Sequence, residues 1–259
     1  MVAQAVSALE RRYGKTHRKD RWWVEPLVSG SGLGLFVIYS TISVLIGPNW
    51  AYETEPAVYL SPFFEPLFTP EWLPRWFSPG ILILWGPIGF RTTCYYYRRT
   101  YYRSYFLSPP ACAVAEPAAS YSGEAKFPLV LQNIHRYTMY VALVFAGLLW
   151  VGAAKSFWLP GEGLGVGLGS VILTLNAYFI TMYTIGCHSL RHWVAGGLNS
   201  FSRTPLRRLR RKAWEVFTLA NEKHRLWAWV SMIFVGLTDL YIRLVASGVI
   251  TDLNTWKHF

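Results

Sequence analysis

The sequence predicts an all-α integral membrane protein, a bundle of five transmembrane helices with the N-terminus cytoplasmic and the C-terminus outside. Three observations carry that expectation. The chain is 53% hydrophobic, 17% aromatic and only 15% charged, with a mean hydropathy of +0.23, which is too apolar for a water-soluble domain of 259 residues. Five stretches reach the roughly 20 apolar residues that cross a hydrocarbon core: Val28 to Ile46, Trp76 to Tyr97, Arg136 to Ala154, Val166 to Cys187 and Leu226 to Ala246. Lys and Arg are also unequally shared between the two sides. Arg75, Lys155, Arg243 and Lys257 fall on one, and the other 21 of the 25 fall on the side of the N-terminus, which the positive-inside rule places in the cytoplasm.

Residues 1–27 form a basic cytoplasmic segment containing Arg11, Arg12, Lys15, Arg18, Lys19 and Arg21. No short apolar core with a small-residue cleavage site follows it, so no cleaved signal is expected, and the first span serves as both anchor and insertion signal. Residues 28–246 form the membrane domain and 247–259 an extracytoplasmic tail. Between the first two spans, Gly47 to Arg75 is rich in Pro and aromatics and carries Glu53, Glu55, Glu65 and Glu71. It reads as an outer cap with rings at headgroup level. Within the second span, Gly86-Pro87-Ile88-Gly89 predicts a kink, because proline removes a backbone donor. Arg91, near its cytoplasmic end, is a costly charge in a membrane and a functional candidate.

The next cytoplasmic loop, Ser108-Pro-Pro-Ala-Cys112-Ala-Val-Ala-Glu-Pro117, is small-residue and nearly uncharged, a composition suited to folding back against helix ends. Phe157 to Gly169 is Gly-rich and reads as a short outer hairpin. Arg203, Arg207, Arg208, Arg210, Arg211 and Lys212 mark the cytoplasmic loop before the last span. In that span, Asp239 and Arg243 are four apart and so share a helical face as a structural ion pair. The net charge of +11 stands beside apolar spans with no nucleic-acid motif, so anionic lipid heads or an acidic docked subunit are the expected partners, not nucleic acid.

Thiols and imidazoles gather at the cytoplasmic ends of these spans. Cys94 closes the second, His135 opens the third, Cys187, His188 and His192 close the fourth, and His224 opens the fifth; Cys112 lies in the loop between the second and third. A lone cysteine or histidine in such a place is ordinarily a packing or interfacial residue, and their convergence is what suggests chemistry. Three thiols in a reducing compartment argue against structural disulfides. His188 and His192 share a helical face. Cys187 points about 100° from His188 at 3.6 residues per turn, which makes it the poorest co-ligand of the three.

Two cofactors suit this inventory. The spans have no histidine in their middle or outer halves, which excludes two stacked haems and leaves one haem b held by His135 with His188 or His192. A Rieske-type [2Fe–2S] cluster needs two thiolates on one iron and two imidazoles on the other. Cys94 and Cys112 supply the first pair, and two of His135, His188 and His192 the second. A quinone head needs donors for its carbonyls and an aromatic slot, for which Arg191, Trp193 and His224, with Tyr95 to Tyr97 and Trp22-Trp23, are the candidates. His192, His224 or a tyrosine is suited to relay its protons. A transporter or scaffold without a redox centre is the competing class, and the lack of a mid-span carboxylate argues against transport.

Taken together, Phe90-Arg-Thr-Thr-Cys94-Tyr-Tyr-Tyr-Arg, Ser108-Pro-Pro-Ala-Cys112-Ala-Val-Ala-Glu-Pro, Asn133-Ile-His135-Arg-Tyr and Cys187-His188-Ser-Leu-Arg-His192 resemble the membrane anchor of actinobacterial succinate dehydrogenases, from about Val28 to Ala246. The resemblance implies a multi-pass subunit of the bacterial plasma membrane, in a trimeric complex that also has room to form a higher oligomer. A flavoprotein oxidises succinate, an iron–sulfur subunit relays the electrons, and the anchor passes them to menaquinone or ubiquinone. The chain itself then has no FAD or succinate site and no catalytic residue of that reaction. The resemblance further implies a Rieske-type cluster in the anchor in place of haem b. The ligand role it implies goes to Cys94, Cys112, His135 and His188, with His192 and Cys187 as substitutes.

Overall fold

The computed structural model describes residues 14–52, 59–117, 125–127 and 129–256. Arg11, Arg12, Glu53, Glu55 and Lys257 lie outside the described residues. The chain is mostly helical. Helix α1 is Val24–Leu45, and two two-residue strands, β1 (Ala51–Tyr52) and β2 (Tyr59–Leu60), pair antiparallel after it. Helices α2 (Gly80–Thr93) and α3 (Tyr95–Tyr101) follow, then a π-helical turn over Tyr102–Phe106 and a 3-10 turn over Leu129–Ile134. Helix α4 (His135–Lys155) leads into the antiparallel strands β3 (Trp158–Leu159) and β4 (Gly163–Leu164), the outer hairpin that the glycine-rich stretch predicts. Helices α5 (Leu168–Ile185), α6 (His188–Ala195), α7 (Pro205–Glu222) and α8 (His224–Ala246) complete the order.

Among the described residues, four helical segments are long and apolar enough to cross a membrane: Val24–Leu45, Leu129–Lys155, Leu168–Ile185 and His224–Ala246. They match four of the five expected spans. The stretch expected as the second span is instead divided: α2 has 14 residues, about 21 Å at 1.5 Å per residue, and an extended Cys94 separates it from the seven-residue α3. Pro87 lies within α2, so the interruption falls seven residues beyond the expected kink. Exposed aliphatic side chains such as Leu35, Ile38 and Ile42 on α1, Val144 and Val151 on α4, and Ile233 and Leu237 on α8 are surface suited to lipid.

By its contacts the chain forms two compact units, Met1–Ile38 with Arg91–Ile134, and Tyr39–Phe90 with His135–Phe259. In the larger unit α5 packs against both α4 and α8. Helix α2 approaches α4 closely because two glycines lack side chains: a Cβ at Gly86 would stand 2.7 Å from Val141, and one at Gly89 would stand 3.2 Å from Thr138. One end of this unit is closed by the hairpins. Tyr59 is fully buried, and its hydroxyl donates to Asp252 at 2.8 Å, while the Gly169 amide donates to the other carboxylate oxygen at 2.9 Å. The Tyr59 ring occupies the space a Cβ at Gly169 would need. Nearby, the expected Asp239–Arg243 pair is present at 2.8 Å with the carboxylate fully buried. Tyr39 and Ser61 donate to that carboxylate, and Arg243 also donates to the Ser43 and Pro48 carbonyls, so the charge is paid for by hydrogen bonds on every side.

Glu65 is the third buried carboxyl at this end. Its side chain lies against Gly152 of α4, in a slot that any Cβ there would fill. Burial pushes it up from 4.5 to about 7, with Lys155 pulling the other way. The folded chain therefore keeps a proton that the unfolded chain has lost between those two values. Stability then falls as pH rises through that window and levels off above it. Glu65→Gln is expected to remove this loss, so thermal melts of the variant between pH 5 and 8 should be flatter than those of the wild type; parallel curves would show that the carboxyl is not desolvated. Separately, Asp239→Ala leaves Arg243 without its buried partner and should destabilise the fold by about 3–5 kcal/mol, read as a lower melting temperature.

Candidate functional site

At the other end of the larger unit, α4 and α8 begin and α5 ends. His135 is the first residue of α4, with its carbonyl accepting from Thr138 Oγ1 at 3.0 Å. Its ring lies flat on Phe90, centroids 4.9 Å apart and planes 5° apart, and its Nε2 stands 3.2 Å from the Cys187 sulfur. Phe90 leans on Tyr183 at 5.1 Å, and Tyr183 in turn stacks on His224 at 5.1 Å and 7°. Two imidazoles are thus held through two aromatic rings. Each stack fixes an imidazole plane and shields it from water.

Cys187 reaches His135 because the helix stops. Helix α5 ends at Ile185, Gly186 follows, and Cys187 is extended at φ −62°, ψ 132° before α6 begins. Its amide donates to Thr184 and its carbonyl accepts from Arg191, so both backbone groups remain bonded at the break. Gly186 is required by close approach: a Cβ there would lie 3.0 Å from both His224 Nδ1 and the Ala220 carbonyl. Asn221 locks the same turn by donating to the Gly186 carbonyl at 2.7 Å, and it also stands 3.2 Å from His188 Nδ1.

The smaller unit repeats the device. Cys94 is extended at φ −66°, ψ 135° between α2 and α3, its amide donates to Arg91, and its carbonyl accepts from Arg98. Like Cys187 it is buried. Arg91 bonds the Tyr97 hydroxyl and lies 5.6 Å over that ring, which spreads its charge onto an aromatic face. Cys112, by contrast, is exposed. Its loop pairs with the N-terminal segment, Ala115 donating to the Lys15 carbonyl, Thr16 to the Ala113 carbonyl and Arg18 to the Cys112 carbonyl.

The other candidates stand apart from one another. The His188 and His192 rings have different neighbours, Asn221 for the first and the Gly196 turn for the second. Arg191 donates to Thr218 at 3.0 Å and lies 4.6 Å over Trp214, whereas Trp193 is exposed with its edge toward Tyr140. The smaller unit also has an apolar groove of about 710 Å³ along α1, walled by Trp22, Trp23, Leu27, Leu35 and Tyr105. The Ser104 and Tyr105 hydroxyls beside it donate to the Pro26 and Gly30 carbonyls.

A buried thiol against a half-buried imidazole is a metal-ligating combination. On one tetrahedral ion, bonds of about 2.3 Å to sulfur and 2.0 Å to nitrogen would set these two atoms about 3.5 Å apart, close to the spacing seen. Among the described residues no three His, Cys, Asp or Glu side chains meet as a metal group. Phe90, Tyr183, Gly186 and Asn221 escaped the sequence reading. Only Gly186 offered a signal, as a helix-stopping residue directly before a cysteine.

Residues 24–248 match the family of actinobacterial succinate dehydrogenase subunit SdhC. The chain belongs to that family. It is a membrane-anchor subunit of a succinate dehydrogenase, and other subunits of that complex are its partners. A chain of the Mycobacterium smegmatis Sdh1 complex in the apo form is similar over 94% of both chains, with 41% identity and a TM-score of 0.81. No curated protein matches the chain. In this SdhC family member, burial predicts how the thiols react: N-ethylmaleimide should label Cys112 of the detergent-solubilised subunit first, and Cys94 and Cys187 only on denaturation. Equal rates at all three would contradict the described burial.

Proposed function

We propose that this anchor passes electrons from a docked iron–sulfur subunit to a membrane quinone through a Cys/His-ligated [2Fe–2S] centre of the Rieske type. What supports the reading is a buried thiol, Cys187, placed beside the His135 imidazole with Sγ 3.2 Å from Nε2; on such a centre the two would bind different irons, so loading would move them apart. Cys187 and His135 would hold the metal centre. Such a cluster needs a second thiolate and a second imidazole. Within the larger unit, His224 is the buried imidazole fixed by Tyr183. This choice sets Cys187 and His224 ahead of Cys112, His188 and His192. When bound, the cluster accepts and donates single electrons.

The protein's own part is to fix and shield. Phe90 and Tyr183 hold the two imidazole planes, Asn221 and Gly186 hold the turn that carries Cys187, and Arg191 is steadied by Thr218 and Trp214 as a donor toward a quinone carbonyl. Trp193 and His224 complete the proposed quinone end, for menaquinone or ubiquinone. Positive charge supports a cytoplasmic N-terminus in the bacterial plasma membrane.

Cys187→Ser and His135→Ala test this. Both are expected to keep succinate oxidation by soluble dye acceptors, to lose quinone reduction at least tenfold, and to lose iron and acid-labile sulfide equal to one [2Fe–2S] cluster per complex. Quinone reduction and iron content at wild-type levels would remove these residues from the electron path.

A further inference from the structure

Helix α7 connects the end of α6 to the start of the α8 span, which places it at the boundary of the membrane. Thr204 caps it, accepting from the Arg207 amide at 3.3 Å, and Pro205 opens it. One face is committed to the protein: Arg210 donates to the Val194 carbonyl, Trp214 and Thr218 receive Arg191, and Asn221 reaches Gly186. A second face is charged, with Arg207, Arg208, Arg211 and Glu215. The third face is large and apolar, and it is open: Leu206, Leu209, Val216 and Leu219 are 64%, 63%, 55% and 68% exposed.

A water-solvated helix rarely presents four large aliphatic side chains on one stripe. Here Arg208 and Arg211 border the stripe, Lys212 stands on it with a stem long enough to carry its ammonium out to headgroups, Arg207 lies nearer the protein-facing side, and the one carboxylate near them, Glu215, is paired with Arg211 at 2.9 Å. Apolar stripe, basic border and a place at the end of a span together define a helix that lies in the membrane surface. We infer that α7 is such an in-plane helix, with Leu206, Leu209, Val216 and Leu219 inserted among acyl chains and the flanking cations binding the phosphates of anionic phospholipid. The basic cluster is then a lipid site and not the seat of the soluble subunits. The inference rests on the membrane-anchor identity and is independent of any metal centre.

The test uses the whole purified complex in nanodiscs of mixed phosphatidylglycerol and phosphatidylcholine, with a photoactivatable diazirine on the acyl chain of one lipid at a time. The phosphatidylglycerol probe should label residues 206–219 more heavily than the phosphatidylcholine probe. Replacing Arg207, Arg208, Arg211 and Lys212 by Gln should lower the phosphatidylglycerol label at least fivefold, the order expected from a single cation near an anionic surface, while the flavoprotein and iron–sulfur subunits still co-purify. No label on 206–219, equal label from both probes, or loss of the soluble subunits with label unchanged would each overturn the inference. If the fourfold variant does not assemble, the ratio between the two probes on the wild-type complex decides.

Discussion

An extended residue inside a helical run must keep its own amide and carbonyl bonded, or the run cannot stay buried. Cys187 meets that constraint by donating to Thr184 and accepting from Arg191, and Cys94 meets it in its own unit with Arg91 and Arg98. The break turns the side chain off the helical progression. At Cys187 it delivers sulfur to His135, a partner that an uninterrupted α5 would not offer. The Gly186 turn, the Asn221 bond and the Tyr183 stack on His224 all lie within a few residues of this break.

The two ends of the larger unit are built on different chemistry. At the capped end, buried carboxylates are saturated by donors, as at Asp239 and Asp252, and glycines admit the Tyr59 ring and the Glu65 carboxyl. That end has no thiol or imidazole among its described residues. At the other end, flat aromatic contacts hold imidazoles in place without using up their nitrogens, since a stacked ring leaves its in-plane lone pairs and protons for other bonds. Such an arrangement suits ligands. Helix α7 completes this end with a surface fit for headgroups.

Much of this was legible from residue order. Hydropathy located four spans to within a few residues, spacing of four found the Asp239–Arg243 pair, and glycine content found the β3–β4 hairpin. The break at Cys94 was not legible, and that at Cys187 was signalled by Gly186 alone, because hydropathy sums over a window and is blind to one residue changing ψ. The placement of Cys187 at 100° from His188 followed from a helix that runs through both, and the structure starts a new helix at His188. Cys112 drew attention by its proline-flanked loop, yet that loop spends its backbone bonds on Lys15, Thr16 and Arg18 and leaves the side chain exposed. Stacking partners such as Phe90 are set by tertiary contact, for which a single sequence carries no pattern.

Anchor membership of the SdhC family and the electron-transfer chemistry proposed for it meet at one pair of atoms. Locating iron in the loaded complex by anomalous scattering at the iron edge addresses that pair directly. A peak within bonding distance of Cys187 Sγ or His135 Nε2, with the present contact between them opened to admit it, is the expected result. Iron confined to the soluble subunits, with Cys187 and His135 still touching, would contradict it.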